Sequence, residues 1–238
     1  MRLTTLGVGA MTSPRYASAG LLVEAAGQRV MIDGGKGAEP SGKLDAWLVT
    51  DEDTELISEI HRLAAAHKVR PAVRQFASAG LVIEPHPVVH TNHPTFGYEI
   101  VYGDHHVVWA PEFWSFPEWA AEADLAFLEA AAWKRPIRFR GGVGGHAPVQ
   151  RTSKEAQDAG IRQVVFVHIG RPTIRAIDSG EAEYLEFVKD GQVFEFRNGR
   201  LVGRPPTRGT SLSGRTGASQ TAAGSAAHSG RSRPGLGT

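Results

Sequence analysis

The chain has 238 residues, 41% of them hydrophobic, and its 26 basic and 25 acidic side chains give a net charge of +1 with histidines neutral. That length supports one domain with a sizeable core, and the balance excludes a chain that is strongly basic or strongly acidic throughout. The absence of cysteine excludes disulfides, thiolate-bound zinc and a thiol nucleophile.

The N-terminus, MRLTTLGVGAM, has no long apolar run, so no signal peptide is expected. No stretch reaches the roughly 18 apolar residues of a membrane span. The expectation is a cytoplasmic protein. Residues 2–9 read as a strand, and 21–25 and 29–32 as two more, joined near Gly27 and closed by Asp33-Gly34-Gly35. DAWLVT at 45–50 is another short strand. Over 54–67 the period changes: Leu56, Ile60, Leu63 and Ala64 share a helical face, and Pro71 follows. Strands are expected again at 81–83, 88–90, 98–101 and 107–109, then a short helix at 116–123 and a buried strand at 124–130. A helix at 153–159 ends at Gly160, the apolar run 163–168 ends in His168, and 174–177 starts another helix. Residues 192–202 carry Asn198-Gly199 between two apolar runs, a hairpin signal.

Residues 1–203 form the predicted domain, and 204–238 a Gly/Ser/Arg-rich tail too poor in large apolar side chains to fold. From Arg204 onward there are five arginines and no acid, so the body holds 21 basic against 25 acidic residues, a net charge of −4. The tail is either a solvated appendage or a weak contact with RNA or anionic lipid.

Chemistry is expected at three places. Asp51, Asp53 and Glu55 stand i, i+2, i+4 at a strand-to-helix junction, a spacing suited to a hard cation or simply to capping the helix. The histidines 86, 90, 93, 105 and 106 lie near strand ends, without a spacing that defines zinc. RFRGGVGGHAP (138–148) and HIGRP (168–172) bring a Gly-rich loop, His146, His168 and three arginines. Arg138, Arg140 or Arg171 could grip a phosphate or carboxylate bidentately, or be solvated.

In order, LTTLGVGAMTSPRYASAGLLVEAAGQRVMIDGG, LDAWLVTDEDTELISEI, HPVVHTNHPTFGYEI, HHVVWAPEF, ADLAFLEAAAW and GGHAPVQRTSKEAQDAGIRQVVFVHIGRPT resemble the metallo-β-lactamase superfamily. They are most similar to its phosphodiesterase and tRNA 3′-processing nuclease (RNase Z-like) branch. The resemblance implies an αββα sandwich with metals at one edge of its sheets. DEDTEL stands where the family has His-x-His-x-Asp-His, so Asp51, Asp53 and Glu55 replace two histidines and the aspartate, and Leu56 replaces the last histidine. The resemblance further implies ligands at His90 (with His93 as the other register), Glu112 and His168. It gives His146 a proton-transfer role.

Two functions follow as expectations. One is a divergent hydrolase holding a divalent ion (Mn, Fe, Mg or Zn), with His146 as acid and Arg140 and Arg171 gripping a phosphodiester or other small anionic ester. The other is a non-catalytic relative that has lost its metal and keeps the fold for binding. The aromatics of EFWSFPEW at 112–119 would then be a partner surface or packing. The oligomeric state stays open.

Overall fold

A strand that is apolar on both faces has to be covered on both faces. The first strands have this character. β2 (Gly20–Ala25) and β4 (Ala46–Leu48) are almost entirely buried, and so are the middle residues of β1 (Arg2–Gly7) and residues 30–32 of β3 (Gln28–Asp33). Alternation sorts their side chains. Leu21, Val23, Val30, Ile32, Ala46 and Leu48 enter the main core. Leu22, Met31 and Trp47 point the other way and meet Ile60 and Ala64 of helix α1 (Ile57–Ala65).

The computed structural model of the chain describes residues 1–197 and 200–204. The remaining elements are β5 (Phe76–Ser78), β6 (Leu81–Val88), β7 (Thr95–Tyr102), β8 (His105–Ala110), β9 (Leu125–Glu129), β10 (Ile137–Arg138), β11 (Gly145–His146), α2 (Val149–Asp158), β12 (Val164–Val167), α3 (Arg171–Asp178), β13 (Gln192–Arg197) and β14 (Arg200–Arg204). One sheet has the order β14-β13-β1-β2-β3-β4 and the other β12-β9-β8-β7-β6-β5, with β10 and β11 as a separate small pair. Both large sheets are mixed. β3 and β4 run parallel, as do β8 and β9, and β9 and β12, while the other neighbours are antiparallel. The main core lies between the sheets, α1 covers the outside of the first, and α2 packs on β9 and β12 of the second. This is the expected αββα sandwich. No described helix is long and apolar enough to cross a membrane.

Several element boundaries correct the sequence expectations. The helix begins at Ile57 rather than 54, because residues 51–56 are spent in turns. Residues 116–123 hold only a 3-10 turn, Glu118–Ala120, since Ala121 is extended (φ −57°, ψ 147°) and Glu122 left-handed (φ +61°), which ends the helical run. The two strands expected at 81–83 and 88–90 are one strand, β6, despite Pro85 and Pro87. β5 pairs only with residues 81–83 of it, so both prolines fall where β6 is an edge and a missing N–H breaks no ladder bond on that side. β5 itself was not anticipated. At the C-terminus β13 and β14 pair antiparallel as the hairpin signal requires, while the Asn198-Gly199 turn and the tail after 204 lie outside the described residues.

Topology sets the site. The parallel strands β8, β9 and β12 end at one edge, leaving Glu112, Glu129 and His168 just beyond or at their C-terminal ends. The parallel pair β3 and β4 delivers Asp33 and Asp51 from the first sheet. Carboxyl ends of parallel strands are where such sheets hold ligands.

Candidate metal centre

Asp33 joins the two sheets behind the site. Its Oδ1 accepts from the N–H (2.7 Å) and hydroxyl (2.9 Å) of Thr50, and its Oδ2 from the indole N–H of Trp109 in the other sheet (2.8 Å). Burial raises its pKa to about 6 against these hydrogen bonds. Thr50 is thereby fixed, its carbonyl accepts from the N–H of Phe96 (2.8 Å), and Asp51 is the next residue.

The first donor group is Asp51, Asp53 and His93, whose ligand atoms all lie within 4.8 Å of one another. Asp51 is buried, and burial pushes its carboxyl above the usual range. Its Oδ1 accepts from the N–H of Asp53 at 2.7 Å and lies 3.3 Å from Nδ1 of His93. That Nδ1 is buried and has no hydrogen-bond partner among the described residues. The acids do not cap the following helix: its N-cap is Leu56, and no side chain bonds there.

The second group is built around Glu112 and Glu129. His90 Nε2 and His168 Nε2 stand 2.7 and 3.0 Å from the two oxygens of Glu112. Glu129, fully buried, accepts from Nδ1 of His168 (3.1 Å) and of His146 (2.8 Å) and from the N–H groups of Ala131 (2.8 Å) and Phe113 (3.2 Å). Burial opposes its charge, yet His146 and His168 outweigh it and hold the carboxyl down at about 2. Conversely burial lowers the His168 pKa, but Glu112 and Glu129 win and raise it to about 10. Glu112 is likewise held well below its ordinary value: burial raises it, but His168 and His90 overcome that.

The same anchoring recurs at all three histidines. His90 donates Nδ1–H to the carbonyl of Gly145 (2.9 Å), and His146 and His168 present Nδ1 to Glu129. Each ring is thus fixed at Nδ1, the anchoring found behind metal-bound histidines, while Nε2 of His90 and of His168 faces Glu112. The Gly-rich loop allows it. A Cβ on Gly144, whose φ is +156°, would stand 2.0 Å from the carbonyl oxygen of His90. His168 itself has φ +53°, a left-handed conformation rare outside glycine.

Asp51, Asp53 and His93 and, from the second group, His90, Glu112, His146 and His168 line one cleft of about 620 Å³, together with Asp33, Glu55, Leu56, Arg140 and Arg171, while Glu129 is buried behind it. The donor chemistry fits a divalent cation: imidazoles anchored at Nδ1, a Glu112 carboxylate held ionised, and a buried His93 Nδ1 that makes no hydrogen bond among the described residues and faces two aspartates. Asp51, Asp53, His90, Glu112 and His168 therefore reach a common cavity. The structure divides the two histidine registers: His93 stands with the aspartates and His90 with Glu112. Glu55, in contrast, is exposed on the wall and belongs to neither donor group, because the turns at 51–56 break the i, i+2, i+4 convergence. Arg138 is not in the cleft lining but stacks on Trp114 at 5.2 Å. The aromatics of 112–119 pack: Phe113 is buried, and Phe116 meets it edge-on at 6.2 Å. Sequence reasoning missed Glu129 as a site residue. Its signal was a lone acid ending the apolar run LAFLE.

The fold and this cleft define a metallo-β-lactamase-type protein. The chain belongs to the β-lactamase superfamily domain family, whose profile matches residues 14–169. Its structure is similar to the metallo-β-lactamase fold protein YhfI from Bacillus subtilis, with TM-score 0.66 and 18% identity over 82% of this chain and 99% of that one. It is similar to Zn²⁺-bound PqqB from Methylobacterium extorquens (TM-score 0.62, 14% identity, 82% and 100% covered). It is also similar to the short form of human tRNase Z (TM-score 0.61, 14% identity, 83% and 100% covered). Sequence comparison with curated proteins finds no match.

Proposed function

We propose that this chain is a metal-dependent hydrolase of a small anionic ester, a phosphodiester foremost. The observation that carries the reading is the convergence of Asp51, Asp53, His93, His90, Glu112 and His168 on one cleft that also displays two arginines. Likeness to zinc-bound PqqB and to a tRNase supports the metal and the phosphate chemistry. Asp51, Asp53 and His93 would hold one divalent cation (Zn, Mn, Fe or Mg), and His90, Glu112 and His168 are donors for a second. A cation bound there supplies a water of lowered pKa and polarises the scissile bond.

The chain's own residues do the rest. Arg140 and Arg171, both exposed on the cleft wall, grip the anionic group and orient it. His146, anchored at Nδ1 by Glu129, takes up a proton at Nε2 as the water attacks and then gives that proton to the leaving oxygen. Glu129 stays ionised and keeps that ring in a single tautomer, as the buried acid of a catalytic triad does.

Elemental mass spectrometry of protein purified without chelator tests the reading, alongside hydrolysis of bis(p-nitrophenyl) phosphate. Bound metal and turnover are expected in the parent, and Asp51→Ala/His168→Ala should abolish turnover and lower the metal content by what the cleft holds. Arg171→Ala should retain metal and raise KM. Absence of metal and turnover in the parent, even after reconstitution with each ion, would overturn the proposal and leave a fold kept for binding.

A further inference from the structure

The outer face of the second sheet carries a cluster that the cleft does not use. Glu84 and His86 lie two apart on β6. Glu84 is directly opposite Glu99 of β7, and His86 opposite Gly97. Val101, two residues beyond Glu99, is opposite His106 of β8. Residues two apart and cross-strand partners share a face. All four side chains therefore lie on one surface, away from Tyr98, Ile100 and Trp109, which fill the core.

Their polar atoms converge. His86 Nε2 is 3.3 Å and His106 Nε2 3.0 Å from the two oxygens of Glu99. The ligand atoms of Glu84, His86 and Glu99 all lie within 4.8 Å of one another. Both Nε2 atoms are buried, and neither makes a hydrogen bond of acceptable geometry among the described residues. Glu84 and Glu99 have no Lys or Arg within 4.0 Å among the described residues. A like-charged pair placed directly across two strands is destabilising unless a cation lies between. The spacing admits one: ligands at about 2.0–2.1 Å around a tetrahedral zinc stand roughly 3.3 Å apart, the separation of His86 Nε2 from Glu99.

The ring of His86 is also held in place. It stacks on Trp119 with centroids 4.9 Å apart and planes at 23°. Trp119 lies so close over Gly97 that a Cβ there would be 2.8 Å from the indole. The indole N–H donates to the carbonyl of Pro87 at 3.3 Å.

We propose that Glu84, His86 and Glu99, with His106 as a further donor beyond Glu99, form a second site for a borderline divalent transition metal of the Zn²⁺ class. Imidazole and carboxylate together suit such ions. Its role is structural: the ion ties β6, β7 and β8 together on that face and supports Trp119 against them. The site is independent of the cleft and of any activity there.

Zinc titration of full-length, metal-stripped protein tests this, with Asp51→Ala/His168→Ala as the background so that the cleft is disabled. This background should still take up one equivalent of Zn²⁺, raise its Tm on binding, and give the intense visible band of low-coordinate Co²⁺ when Co²⁺ is the probe. Adding Glu84→Gln and His86→Gln should abolish all three. Glu84→Gln alone should weaken Zn²⁺ at least tenfold while leaving the metal-free Tm equal or higher, which separates loss of a ligand from loss of the fold. Failure of the background to bind Zn²⁺, or unchanged uptake after the added substitutions, would overturn the site.

Discussion

Glu129→Gln is the most informative single perturbation. In the metal-free protein this carboxylate accepts from two imidazoles and two backbone N–H groups with no water contact. The depression of its pKa from 4.5 to about 2 corresponds to about 3 kcal/mol in favour of the charged form. The raised pKa of His168 reports largely the same interaction, so the two are not added. Glutamine keeps one acceptor oxygen but turns an NH₂ toward donors, leaving a buried histidine and an N–H without partners. The expected loss is about 3 kcal/mol, or roughly 6–12 °C in Tm for a domain of this size. Because the folded pKa is depressed, this stability is present above the unfolded carboxyl value near 4.3 and disappears as pH falls toward about 2. Urea denaturation of EDTA-treated protein between pH 2.5 and 7 should show a steep acid limb in the parent and a shallower one in the variant. Metal affinity should drop about 10–100-fold, since the anchors of two histidines are gone. A variant within about 1 kcal/mol of the parent, with unchanged metal affinity, would refute the role given to Glu129.

Three further outcomes follow from the same geometry. Glu112 and Glu129 raise the His168 pKa to about 10, so a divalent ion that takes this imidazole at pH 7 should displace a proton, and affinity should climb with pH; calorimetry in buffers of different ionisation enthalpy measures this, and proton-neutral binding would contradict it. Asp33 holds its proton more tightly folded than unfolded, so parent stability should fall by about 3 kcal/mol as pH rises from 4 to above 6. Asp33→Asn should flatten that fall, and an identical pH slope in parent and variant would show that Asp33 does not titrate there. Gly144→Ala puts a methyl 2.0 Å from the His90 carbonyl oxygen, and should cost about 2–3 kcal/mol and weaken the metal at Glu112 more than any loss at Asp51. A stable variant with ordinary metal content would show that the loop yields.

Much of the fold was legible because its signals are local. Apolar runs of four to six residues gave β1 to β4, β9 and β12, and the Asn-Gly signal gave the β13–β14 pairing. The sandwich and the candidate ligands came from the order of motifs. What stayed hidden depends on neighbours in space. Whether His90 or His93 joins Asp51 is decided by Phe96 bonding to Thr50, a contact between sheets that no spacing encodes. Glu129 reads as one acid in a buried strand until two histidines, 17 and 39 residues away, arrive at its oxygens. β6 reads as two strands because Pro85 interrupts the apolar pattern, and only the shortness of β5 explains why it is tolerated. The cluster at Glu84, His86, Glu99 and His106 needs the cross-strand register before it exists at all.

The prolines of β6 matter beyond the fold of one molecule. A sheet edge with free N–H and C=O groups is a template on which a second chain can add a strand, and from there aggregates grow. Here β5 shields only residues 81–83, and the open stretch beyond carries Pro85, Glu84 and Pro87. An incoming strand would meet missing donors and a negative charge where it needs a ladder. Self-association along this edge is therefore disfavoured from the start. Replacing both prolines with valine should turn a well-behaved domain into one that precipitates as its concentration rises.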